Sequence, residues 1–172
     1  MAEALAQIAR LDGLGMVMIR ADLDRAGDAI AEAAGLAIPD ITRIVSDGDR
    51  SLGWMSPDEV LLVLPQADRD DAITALTDAL AGEHALVADV SDARAVFDVI
   101  GPHAADVIAK LMPVDLDALP ADGLRRSRAA QTAAAVWRIE GGFRLIGFRS
   151  TADYLRTILE NAAIPGSQLA PR

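Results

Sequence analysis

The second half of this chain repeats the plan of the first. Residues Trp54 to Leu64 read as apolar run, tight turn and apolar run, and the helical pattern Asp68 to Leu80 follows. Trp137 to Gly147 gives the same order, followed by the helical pattern Thr151 to Asn161. Each Trp stands six positions before the start of the returning run, Val60 in one half and Phe143 in the other. A constant offset through strand, turn, strand and helix marks duplication of one supersecondary unit, which restricts the fold before any single residue is considered.

The rest of each half fits that plan. Met16 to Leu23 alternates with period two, placing Val17, Ile19, Ala21 and Leu23 on one side of a strand. Asp24 is positioned to cap a helix carrying Ala26, Ala29, Ile30, Ala33 and Ala34 until Gly35 ends it. Strands are expected at Ile41–Val45, Ser51–Met55 and Val60–Leu64, separated by Asp47-Gly48-Asp49 and Ser56-Pro57-Asp58-Glu59. A second helix buries Ala72, Ile73, Leu76, Ala79 and Leu80, and Ala85–Val90 is again a strand. This order predicts an α+β, ferredoxin-like unit with an antiparallel sheet covered by helices.

The order then restarts. Ala95, Phe97 and Val99 share a strand face, and Ala104, Val107, Ile108, Leu111 and Met112 a helix stripe; shifted back 78 positions, they match the first strand and helix. Val114 to Gly123 has no periodicity and reads as a connecting loop. Arg128–Ile139 and Phe143–Phe148 form a hairpin around Glu140-Gly141-Gly142, before a helix that buries Ala152, Leu155, Ile158 and Leu159. The expectation is one domain of two pseudo-repeats, about residues 14–90 and 92–162, with a flexible tail over 163–172.

Composition narrows the function classes. With 52% apolar and 24% charged residues in 172, the chain belongs with globular proteins that bury a core. A net charge of −10 argues against duplex nucleic acid or an anionic membrane as partner, since both require a basic face. The absence of cysteine removes disulfides, thiolate catalysis and zinc ribbons together. No apolar run approaches the roughly 20 residues that span a bilayer, and the N-terminus lacks a leader pattern, so a cytoplasmic location is expected.

Catalytic patterns are scarce. His84 and His103 lie in different halves, and neither belongs to a recognisable metal motif. No serine sits in a Gly-x-Ser-x-Gly elbow. The acid pairs Asp22/Asp24, Asp47/Asp49 and Asp115/Asp117 fall at helix starts and turns, where aspartate serves backbone donors, and none continues into a calcium loop. Gly13 and Gly15 precede the first strand, which rules out a dinucleotide loop at that strand's end. The arginines stand out instead. Arg125, Arg126 and Arg128 enter a strand leading to Gln131, and Arg138, Arg144 and Arg149 lie on the following hairpin, making one sheet edge basic in an acidic chain. Trp54, Arg126 and Arg128 are the candidate partner contacts, because Trp and Arg anchor interfaces.

Three blocks carry a family resemblance: Val87 to Ala105 (VADVSDARAVFDVIGPHAA), Gly53 to Glu59 (GWMSPDE) and Phe148 to Tyr154 (FRSTADY). Together they resemble the gamma subunit of heterotetrameric sarcosine oxidase, in family order from about residue 43 to 162. Met1 to Pro39 carries no matching block. Gamma subunits are in turn similar to the folate-binding domain of aminomethyltransferase, the glycine cleavage T protein, whose fold is built from such strand and helix units.

The resemblance implies a complex that oxidatively demethylates sarcosine to glycine, forms hydrogen peroxide and transfers a one-carbon unit to tetrahydrofolate. It further implies alpha, beta and delta partner subunits that hold the FAD, FMN, NAD, tetrahydrofolate and zinc, leaving this chain without a cofactor. On that reading the chain is a noncatalytic assembly subunit, and isolation from its partners opens a route to self-association. The alternatives are a stand-alone folate-binding or one-carbon transferase module, and an enzyme of another class on the same fold.

Overall fold

The structure is a computed structural model in which residues 3–169 are described. The first elements are β1 (Gln7–Leu11), β2 (Leu14–Arg20), α1 (Leu23–Ala34), β3 (Ile44–Asp47), β4 (Arg50–Ser56), β5 (Glu59–Pro65), α2 (Arg69–Ala79) and β6 (Leu86–Asp89). They are followed by β7 (Arg94–Ile100), α3 (Ala104–Leu111), β8 (Leu124–Ala129), β9 (Thr132–Ile139), β10 (Gly142–Phe148) and α4 (Ala152–Ala162). Contacts divide the chain into two compact units, Gly13–Asp92 and Met1–Asp12 with Ala93–Arg172.

In the Gly13–Asp92 unit the strands run β3-β4-β5-β2-β6, every neighbouring pair antiparallel. This is the ferredoxin-like order with β3 added at the edge by a hairpin. Val17, Ile19, Leu52, Val60, Leu62 and Leu64 meet Ala26, Ile30, Ala34, Leu76 and Leu80 in one apolar cluster, so the stripes read from periodicity are those that pack. The cap of α1 is Asp22, two residues earlier than the spacing suggested: its Oδ1 accepts from the amides of Asp24 and Arg25. Asp22 wins because its backbone is still extended, whereas Asp24 already lies in the first turn. Gly35 ends α1 in the left-handed region.

The other unit has the corresponding order β8-β9-β10-β7-β1. Its core joins Phe97, Val99, Val136, Phe143 and Leu145 to Val107, Ile108, Leu155 and Leu159. The place that β6 fills beside β2 is filled beside β7 by β1, which lies within the Met1–Pro39 stretch where no family block was recognisable. Leu5, just before it, is buried and exchanges backbone bonds with Ala163 and His103. Beyond α4, Lys110 donates to Ala162 O and Ser167 Oγ, so residues at the start of the expected tail are tied to α3; 170–172 lie outside the described residues.

Two local departures matter. The single strand expected over Arg128–Ile139 is two strands, β8 and β9, joined by a reversal at Ala130-Gln131. Ala130 holds φ 49, a left-handed conformation disfavoured by about 1–2 kcal/mol for a side-chain-bearing residue. Relief of that strain exceeds the added unfolded-state freedom of glycine, about 0.4–1 kcal/mol. Ala130→Gly therefore raises the denaturation midpoint; a lowered midpoint in a urea titration would show that the turn is not strained.

The second departure is a bulge between Trp54 and Ser56. It sets Trp54 opposite Val60, on the face that meets the helices, while Trp137 stands opposite Arg144 on the face turned away from them. One inserted residue thus converts equal spacing in sequence into opposite facing in space. The faces away from the helices are apolar too: Met16, Met55, Leu61 and Val63 in one sheet and Val96, Leu124, Ala135, Trp137 and Ile146 in the other are buried.

Candidate functional site

The proposed contact residues fall in different compact units. Arg126 and Arg128 are exposed on one face of β8 and lie two residues apart. Trp54 is half-buried in the other compact unit, and its amide donates to Arg43 O. The wider basic surface predicted from the hairpin contracts to β8, because β10 is not an edge: it lies between β7 and β9.

There Arg144 and Asp98 form a two-pronged ion pair, Nε to Oδ1 at 2.7 Å and Nη2 to Oδ2 at 2.9 Å. Arg138 donates Nε to Leu119 O at 3.0 Å and Nη2 to Leu116 O, and its guanidinium lies 5.2 Å from the Phe143 ring centre. It therefore ties the irregular 113–123 loop to the sheet instead of facing a ligand. Arg94 stacks on the half-exposed ring of Phe148 at 4.5 Å.

Other polar groups with catalytic potential are engaged in local structure. His103 Nδ1 lies 3.2 Å from Asp106 Oδ2 at the N-terminal end of α3. Asp115 Oδ1 accepts from the Ala118 amide, and Asp47 flanks the β3–β4 turn. Among the described residues, no group of three or more His, Asp or Glu side chains is arranged to hold a metal ion. An open cleft of about 790 Å³ is lined by Arg20, Asp22, Arg25, Asp58, Glu83 and His84. Its cations face carboxylates already: Arg20 Nη2 is 2.6 Å from Asp58 Oδ2, and Arg25 contacts Glu83. The Ser56 hydroxyl, and then Arg20, hold the Asp58 carboxyl below its ordinary range.

One polar cluster around the buried Ser91 escaped the reading of the sequence. Ser91 Oγ accepts from the Met16 amide at 2.9 Å and donates to Asp89 Oδ1 at 2.6 Å, while the Ser91 amide donates to the same oxygen. The Ser91 hydroxyl is the main reason that the Asp89 carboxyl lies below its ordinary range; burial opposes the shift, and the Ser91 amide and Arg69 add to it. Only the Asp-x-Ser spacing signalled the cluster.

Ser91→Ala leaves the Met16 amide without this acceptor and is expected to cost about 1–3 kcal/mol in urea unfolding. Because the folded-state pKa of Asp89 is depressed, its contribution is complete above the unfolded value and disappears as pH falls through the folded one. The alanine variant accordingly shows a shallower loss of stability on acidification below about pH 4. A parallel pair of acid-unfolding curves would contradict this linkage.

The chain matches the sarcosine oxidase, gamma subunit family over residues 20–165. The match begins at Arg20, so the family pattern reaches into α1, where no block was recognisable. A curated relative, sarcosine oxidase subunit gamma from Corynebacterium sp. (strain P-1), is 35% identical over 91 residues. That alignment spans 51% of this chain and 43% of the relative, less than half its length.

Among solved structures, a chain of heterotetrameric sarcosine oxidase from Corynebacterium sp. U-96, in complex with pyrrole 2-carboxylate, shares the fold with a TM-score of 0.87 and 24% identity. The superposition covers 97% of this chain and 88% of that one. Aminomethyltransferase T of the Bartonella henselae glycine cleavage system matches with a TM-score of 0.66 and 16% identity, over 92% of this chain and 46% of that one. The duplicated α+β architecture and the extent of the family match together place this chain in the sarcosine oxidase gamma subunit family.

Proposed function

We propose that this chain is a noncatalytic subunit of a heterotetrameric sarcosine oxidase, in which it stabilises the assembly. The observation that carries the proposal is the superposition on a chain of the Corynebacterium sp. U-96 enzyme over nearly the whole of both. The noncatalytic part draws support from the engagement of Asp22, Asp89, Asp98, Asp115, Arg138 and Arg144 in caps, ion pairs and loop tethers. In this reading alpha, beta and delta subunits supply the FAD, FMN, NAD, tetrahydrofolate and zinc, and the complex converts sarcosine to glycine with release of hydrogen peroxide. A cytoplasmic assembly suits a chain that uses no disulfide.

The test is a native pull-down from the source cells with this chain tagged, followed by a flavin absorbance spectrum and a sarcosine-dependent peroxide assay. A yellow, active complex supports the proposal. A colourless lone chain from cells that express the oxidase would overturn it. The fold shared with aminomethyltransferase T favours a second reading, a stand-alone folate-binding module. That reading requires saturable binding of tetrahydrofolate by the isolated chain, which a direct titration measures.

A further inference from the structure

Among the edge strands of the two sheets, β8 is the longest, with six residues against five in β1 and four each in β3 and β6. Its sequence, Leu-Arg-Arg-Ser-Arg-Ala, carries three cations and no acid in a chain of net charge −10. Opposite Arg125, Arg126 and Arg128 on β9 stand Val136, Ala135 and Ala133, and the Arg128 guanidinium donates to Gln131 O at 2.9 Å. The two-residue reversal makes Ala129 and Thr132 a hydrogen-bonded pair; alternation then turns the backbone groups of Leu124, Arg126 and Arg128 toward the outer edge.

A slot of about 190 Å³ is lined by Arg125, Arg126 and Ser127 of β8 and by Pro113, Val114, Asp115 and Ala118. The one carboxylate in the slot, that of Asp115, accepts from the Ala118 amide.

An edge strand offers its backbone to any extended chain, and side-chain charge decides which chain is accepted. A second copy of β8 would bring arginines against arginines, which disfavours pairing of like with like. An acidic segment meets the opposite condition.

We infer that β8 docks an extended, acidic segment of a partner subunit, which joins the sheet as a further strand with its carboxylates against Arg126 and Arg128. This rests on the subunit role proposed above. It is a more specific claim, because it names the edge, the conformation and the charge of what binds there.

The test compares amide hydrogen exchange of β8 in the isolated chain and in the complex reconstituted with the other oxidase subunits. Slowing of the outward Leu124, Arg126 and Arg128 amides by about tenfold or more on assembly is expected, because strand addition protects them. The double variant Arg126→Glu with Arg128→Glu loses about tenfold or more of the recovered partner, whereas Arg126→Lys with Arg128→Lys retains it. Arg128→Pro keeps the inward ladder but blocks the edge, and it also lowers recovery.

Unchanged β8 exchange in a complex that does assemble overturns this inference and leaves the subunit role standing. Failure of the unaltered chain to assemble overturns both. The exchange comparison uses the unaltered chain, so it decides the matter even where a variant folds poorly.

Discussion

Asp98→Ala lowers the free energy of unfolding by about 3–5 kcal/mol, the usual effect of removing one partner from a buried ion pair. Asp98 and Arg144 lie directly opposite on adjacent inner strands, β7 and β10, with side chains 10% and 25% exposed. In register they continue a row that includes Leu124 and Trp137, both buried. Without the carboxylate, the guanidinium keeps its charge and loses both acceptors at a place poorly supplied with water. Replacing both members, Asp98→Leu with Arg144→Met, removes the charges together and costs far less than the single change. Urea unfolding of the two variants checks this. A single variant within about 1 kcal/mol of the parent would show that water already solvates the pair.

Gly142→Ala has the second large expected effect, a loss of about 3 kcal/mol, at the upper end for overpacking. A Cβ there would lie 2.0 Å from Val99 O and 3.0 Å from Ile100 Cα. Both are backbone atoms of the neighbouring strand, so relief requires β7 and β10 to separate. Gly141 differs although it is adjacent: its φ is 73 and a Cβ there meets only the Ile100 side chain, at 3.4 Å. Gly141→Ala therefore costs the conformational penalty alone, about 1–2 kcal/mol. Thermal unfolding separates the two, and equal losses would rule out backbone crowding as the cause at Gly142.

The helices and most strands were legible because their apolar spacing is what packs: Val17 and Ile19 meet Ile30, and Phe97 belongs to the same core as Val107 and Ile108. What stayed hidden follows from three physical causes. The Ala130-Gln131 reversal lacks the glycine or asparagine that ordinarily signals positive φ, so β8 and β9 read as one strand. β1 has five residues and pairs far along the chain, and local periodicity carries no information about such a partner.

The third cause is the bulge at Trp54, which preserves spacing and changes facing. At the candidate site, composition pointed to arginines, but only strand order separates those on the edge from those inside. Arg126 and Arg128 lie on the edge; Arg144 holds Asp98 within the sheet. A lone acid in the apolar run of β7 and a lone base in that of β10 were the available clue to that pair.

The chain order of β1 also bears on synthesis. The ribosome delivers Gln7–Leu11 first, yet their partners Val96–Ile100 emerge only after the whole Gly13–Asp92 unit has been made. That unit contains all of its own strand partners and can close while β1 still lacks its partner. The later unit then takes an edge from residues made before the Gly13–Asp92 unit, so its completion depends on a segment that local folding leaves behind.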